Sequence, residues 1–145
     1  AVSSDAERVF TEGWPKVPRK NNMIFLRKDE LTEIHKKLID EFGGTHGLRD
    51  DAALESAMAA AENRAYYEEA DISVCAATYA YHITQAHAFI DGNKRIAAAA
   101  SEIFLEINGE ILNAPNDAVY ELFMSIAAGE KSRDEVEKIF SEWLS

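Results

Sequence analysis

From Asp29 onward the apolar positions recur every three or four residues. Leu31, Ile34, His35, Leu38, Ile39 and Phe42 share one stripe that Gly43-Gly44 closes, which predicts an amphipathic helix. Asp50-Asp51 opens a second, carrying Leu54, Ala57, Met58 and Ala61. A third, from about Asp71 to His87, is apolar on most sides (Ile72, Val74, Cys75, Ala76, Tyr79, Ala80, Ile83) and therefore belongs in the middle of a bundle. The fourth follows Gly92, runs through Ala97–Ala100 to Ile103, Phe104 and Ile107, and ends at Asn108-Gly109. Pro115 and Asp117 open the fifth, with Val119, Leu122, Phe123 and Ile126 before Gly129. The capping box Ser132-x-x-Glu135 starts the last, which places Val136, Ile139, Phe140, Trp143 and Leu144 on one face.

Upstream the period is lost. Residues 13–24 contain Pro15, Pro18 and Asn21-Asn22 and read as an extended arm, preceded by at most two helical turns over Asp5–Glu12. Alternation is confined to Met23–Leu26 and Glu110–Leu112, which argues against a sheet. The expectation is an all-α fold: a single compact bundle of about six helices over residues 25–145, with residues 1–24 as an N-terminal arm that is flexible or binds a partner. A length of 145 residues suits one such domain.

Charge narrows the partners. The chain carries 15 basic against 26 acidic side chains, a formal −11, a balance that repels phosphate backbones and argues against nucleic acid as a general partner. The distribution is uneven: residues 1–28 carry a net +3, leaving −14 for the remainder. A single cysteine, Cys75, excludes an internal disulfide and a multi-cysteine zinc site and is consistent with a cytoplasmic setting. No apolar run approaches the roughly 18–20 residues of a membrane span, and Ala-Val-Ser-Ser-Asp is no signal peptide. Ala1 in place of Met points to a removed initiator or an internal start.

One stretch is not accounted for by packing: His87-Ala88-Phe89-Ile90-Asp91-Gly92-Asn93-Lys94-Arg95, polar and placed between the two most apolar helices. Gly92-Asn93-Lys94 at a helix start presents unpaired N–H groups at the positive end of the dipole, an anion site. Lys94 and Arg95 stand in the first turn, where the dipole disfavours cations, so an anionic ligand would compensate them. Asp91 could hold a divalent cation that bridges phosphates. His87 supplies the side-chain type suited to a general base near neutral pH. Phe89 and Ile90 read as apolar anchors. His35 and His82 read as satisfied, cap-type histidines and not as bases, and the absence of a His-x-x-x-His pair disfavours a metal hydrolase.

The segment resembles the Fic/Doc family signature, His-x-Phe-x-Asp/Asn-Gly/Ala-Asn-Lys/Gly-Arg, in its death-on-curing (Doc) form with Lys94. Ile34-His35, Gly43-Gly44, Gly47-Leu48-Arg49-Asp50, Leu54-Glu55-Ser56-Ala57 and Phe104–Gly109 look like Doc-branch positions as well. The resemblance covers about residues 25–145. It implies an all-α catalytic domain that uses ATP and Mg²⁺ to modify a hydroxyl of a target protein. Carried over by position, His87 is the base and Asp91 the Mg²⁺ ligand. Gly92, Asn93 and Lys94 line the phosphate nest, Asn93 with its side chain as well, and Arg95 neutralises developing charge.

Adenylyl-transferring Fic proteins have Gly at the place of Lys94 and a further Arg at the place of Ala98. Both departures favour γ-phosphate transfer to Ser or Thr over transfer of AMP, which stands as the alternative. A non-catalytic nucleotide- or partner-binding module is a second alternative. The branch further implies a toxin silenced by a small Phd-like antitoxin seated in a surface groove, with translation elongation factor Tu as a target bearing an exposed Ser or Thr. Some relatives carry an inhibitory Ser/Thr-x-x-x-Glu-Gly/Asn helix. Glu12-Gly13 fits its end, whereas Arg8 departs from its start.

Overall fold

Helix α3 (Ile72–Ala86) is the axis of the molecule, and in the computed structural model, which describes residues 23–144, every face of it is covered. Around it lie α1 (Lys28–Phe42), α2 (Asp51–Glu68), α4 (Asn93–Ile107), α5 (Asn116–Ala127) and α6 (Arg133–Leu144). α2, α4, α5 and α6 pack directly on α3, while α1 packs on α4 and α2. The fold is all-α with six helices, and the only pairing of extended backbone among the described residues is an isolated antiparallel bridge between Leu48 and Phe89. No described helix is long and apolar enough to cross a membrane. The expected short helix over Asp5–Glu12, the inhibitory pattern around Arg8 and Glu12-Gly13, and most of the arm lie outside the described residues.

Local chemistry sets the ends. The Asp50 carboxylate accepts from the Ala53 N–H (3.0 Å) and that of Asp71 from the Val74 N–H (3.0 Å), satisfying groups that a helix start leaves orphaned. The expected capping box on α6 forms: Ser132 Oγ accepts from the Glu135 N–H, and the Glu135 carboxylate accepts from the Ser132 N–H. Burial leaves the hydroxyls of Thr78 and Thr84 without water, and they turn back onto the helix. Thr78 and Thr84 each donate to the carbonyl four residues back at 2.7 Å. Cys75 is fully buried, and burial pushes its thiol up to about 12, so it is a packing group and not a reactive one.

Small side chains at Ala97 and Ala100 bring α4 close to α3, and Phe104 closes the lower core against Tyr79 and Phe25. Met23 and Ile24, drawn from sequence as the end of the arm, pack into this core. The Asn108 amide fixes them: its Oδ1 accepts from the Ile24 N–H and its Nδ2 donates to the Ile24 carbonyl, both at 2.8 Å. Phe42 departs from its expected core place. It ends α1 with more than half its surface exposed.

A polar cluster joins α2, α3 and α6. Arg64 donates to Glu137 (2.7 Å) and to Thr78 (3.2 Å), while Arg64 Nε, Glu137 Oε2 and His82 Nε2 are buried without hydrogen-bond partners. Burial, with Arg133 and Arg64 nearby, holds the His82 imidazole below its ordinary value of 6.5. Folded His82 therefore resists the proton that the unfolded chain accepts, so its contribution to stability is complete above about pH 6.5 and is lost on acidification. Between about pH 7.5 and about pH 5.5, the urea midpoint of the wild type should fall more than that of His82→Gln. Parallel curves would refute this assignment.

Candidate active site

α3 ends at Ala86, and His87 reverses the chain in the left-handed region (φ 48°, ψ 40°), a conformation that costs a non-glycine residue on the order of 1 kcal/mol. Neighbouring backbone holds it there. The His87 carbonyl accepts from Arg49 Nη2 (2.5 Å), and the Ala88 carbonyl accepts from the N–H groups of Arg49 (2.7 Å) and Asp50 (2.9 Å). The Ile90 N–H donates to the Gly47 carbonyl at 3.0 Å. The α1–α2 connection therefore runs alongside the loop between α3 and α4 and fixes its path.

Phe89 is the loop's anchor, as expected. It is 2% exposed and its ring stacks on His35 with centroids 3.8 Å apart. Asn93 brackets its backbone: Oδ1 accepts from the Phe89 N–H (3.0 Å) and Nδ2 donates to the Phe89 carbonyl (2.9 Å). The Asn93 side chain thus fixes the loop, while its second Nδ2 hydrogen and its backbone N–H remain free to meet a ligand. Ile90 is not the second anchor expected of it. Half exposed, it lies across Gly47, where an added Cβ would stand 2.7 Å from its Cδ1.

Asp91 is exposed and bonded on three sides. Its carbonyl accepts from His35 Nε2 (2.7 Å), and its carboxylate accepts from the N–H groups of Thr45 (3.1 Å) and Gly92 (2.8 Å). Those two N–H groups, with Arg95 nearby, hold its carboxyl below the usual carboxylate range. Gly92 (φ 75°) then caps α4 with no side chain over the helix end. The first helical bond is Ile96 N–H to the Gly92 carbonyl, so the N–H groups of Asn93, Lys94 and Arg95 have no acceptor among the described residues. Lys94 is exposed with no carboxylate at ion-pair distance among the described residues, and the Arg95 guanidinium sits 4.8 Å over the exposed Phe42 ring.

All six residues singled out from sequence, His87, Asp91, Gly92, Asn93, Lys94 and Arg95, border one cleft of about 500 Å³. Its remaining wall is α5, with Asn116, Val119, Tyr120, Phe123 and Met124, joined by Ala98 of α4. Sequence reasoning missed that wall, although Asn116, Tyr120 and Met124 at four-residue spacing on an exposed helix face were the available signal. His35 and the Gly44-Thr45 turn were missed as well. No cluster of three or more His, Cys, Asp or Glu among the described residues could hold a metal by itself. The Asp91 carboxylate, exposed beside the open helix N-terminus, is of the donor type that fits Mg²⁺, which typically enters on one or two carboxylates with substrate phosphates.

Residues 25–105 match the profile of the Fic/DOC family, more than half of the chain, and the chain belongs to that family. It is similar to the protein named Toxin Doc of Mycolicibacterium smegmatis, 38% identical over 78 residues that cover 52% of this chain and 60% of that protein. The match thus spans three-fifths of that relative.

Gly44 tests the packing around Asp91. At φ +119° a side chain is strained, and an added Cβ would stand 2.7 Å from Asp91 Oδ2. Gly44→Ala should destabilise the fold by about 1–3 kcal/mol in urea unfolding and displace Asp91 from the Thr45 N–H. Wild-type stability in that variant would show that the turn yields freely.

Proposed function

We propose that this Fic/DOC protein is a Doc-like toxin that transfers the γ-phosphate of ATP to a Ser or Thr hydroxyl of a target protein. The observation that carries the reading is the convergence on one cleft of His87, three N–H groups at the start of α4 that have no acceptor among the described residues, and Lys94 and Arg95. A helix N-terminus with two cations suits a polyphosphate, and the apolar wall of α5 suits a nucleoside. The cleft volume falls within the range of roughly 300–1,000 Å³ common for such ligands.

In this reading His87 takes the proton of the target hydroxyl as its oxygen bonds to the γ-phosphorus. The bond from that phosphorus to the β–γ bridging oxygen breaks, and ADP leaves with the electron pair. The N–H groups of Asn93, Lys94 and Arg95 hold the non-bridging oxygens, where charge accumulates. Asp91 would hold Mg²⁺ entering with the phosphates, and the ion when bound neutralises phosphate charge. Ala98 supports phosphate transfer over AMP transfer: it borders the cleft where the adenylyl-transferring pattern has an arginine. Elongation factor Tu is the proposed target and a small Phd-like antitoxin the proposed partner. Both are read from the resemblance to the Doc branch, and the relative's name, Toxin Doc, supports an antitoxin partner in general.

Incubation with the target and ATP labelled at the γ or the α position tests the reaction. Label should pass from the γ position only, and His87→Ala should slow it by about 10²–10⁴-fold. Transfer from the α position would make the protein an adenylyltransferase. Nucleotide binding without turnover, unchanged in His87→Ala, would make it a binding module.

A further inference from the structure

We infer that His35 is a positioning residue of this cleft: from beneath the loop its Nε2–H holds the Asp91 carbonyl and so sets the Asp91 carboxylate over the start of α4. His35 comes from α1, remote in sequence, and is only 3% exposed. The Asp91 carbonyl oxygen can only accept, so the nitrogen 2.7 Å from it carries the hydrogen, which fixes the ring as the Nε2–H form. Packing alone would require no such bond, since the stack on Phe89 already places the ring.

The surroundings leave the loop little freedom. A Cβ on Gly92 would stand 3.2 Å from Ile39 Cδ1 and 3.5 Å from His35 Nε2, so the chain passes close over α1 at the residue after Asp91. Both bonds to the Asp91 carboxylate come from backbone N–H groups, Thr45 just beyond α1 and Gly92 itself. His35 is the side chain that ties Asp91 to the body of the protein. With the carbonyl held, the carboxylate meets both N–H groups. The consequence for a cation rests on the reading of Asp91 as ligand to a phosphate-bound Mg²⁺, in which His35 acts through Asp91 as an outer-shell group does through a metal ligand.

His35→Phe keeps a ring against Phe89 and removes the donor, whereas His35→Gln keeps an N–H donor and removes the ring. Amide hydrogen exchange without ligand is the first readout. In His35→Phe, Thr45 and Gly92 should exchange about tenfold faster or more while α3 amides keep their protection. Mn²⁺ binding in the presence of ADP, followed by its paramagnetic resonance signal, is the second. It should weaken by about tenfold or more in His35→Phe, with most of the loss restored in His35→Gln. Unchanged exchange in His35→Phe, or equal losses in both variants, would overturn the inference. In the wild-type chain the imidazole nitrogen spectrum must show Nε2 protonated, and a neutral Nδ1–H ring would overturn it without any variant. Failure of the wild type to bind Mn²⁺ with ADP would instead remove the phosphate-transfer reading, and the exchange rates would still decide the role of His35.

Discussion

Phe89 is held by its ring and by its backbone at once. The ring lies buried against His35, and the Asn93 amide closes on both polar groups of its peptide. The loop between α3 and α4 is centred on that clamp. Two residues before it, His87 leaves α3 in a left-handed turn, and four residues after it α4 begins with an open N-terminus. Removing the clamp would leave a polar loop at the centre of the most apolar part of the chain, with backbone groups that water could not easily reach.

The open N-terminus gives an acidic protein a locally positive edge to its cleft. A net charge of −11 repels extended polyanions, yet the field within a few ångströms of α4 is set by three N–H groups, Lys94 and Arg95. Two cations in a first turn cost roughly 0.3–1 kcal/mol each against the dipole. Arg95 offsets part of that on the Phe42 ring, and none of these groups has an acidic partner in ion-pair contact among the described residues. Such a surplus of positive potential is what a bound anion would relieve.

The six helices were legible in the sequence because each carries its own period and punctuation, and Gly43, Asp50, Asp71, Gly92 and Ser132 mark ends that the structure respects within a residue or two. The motif was legible because its order of residue types has no packing explanation. What escaped depends on contacts between distant segments. Phe42 fits the apolar stripe of α1 yet lies outside it, since the stripe ends where the helix runs past the core and Arg95 waits above. His35 looked like a satisfied histidine and is one, but the carbonyl it bonds belongs to the motif 56 residues away. The two bonds of the Asn93 amide to the Phe89 backbone likewise depend on the three-dimensional path of the loop, which no local pattern records.

If the start of α4 is a preformed phosphate nest held by the Phe89 clamp, backbone amide resonances followed during titration with Mg²⁺ and ATP will report it. Asn93, Lys94 and Arg95 should shift together with Tyr120 on the opposite wall, while the Phe89 amide keeps its protection from exchange. Shifts centred away from α4, or a Phe89 amide that loses protection as nucleotide binds, would contradict it.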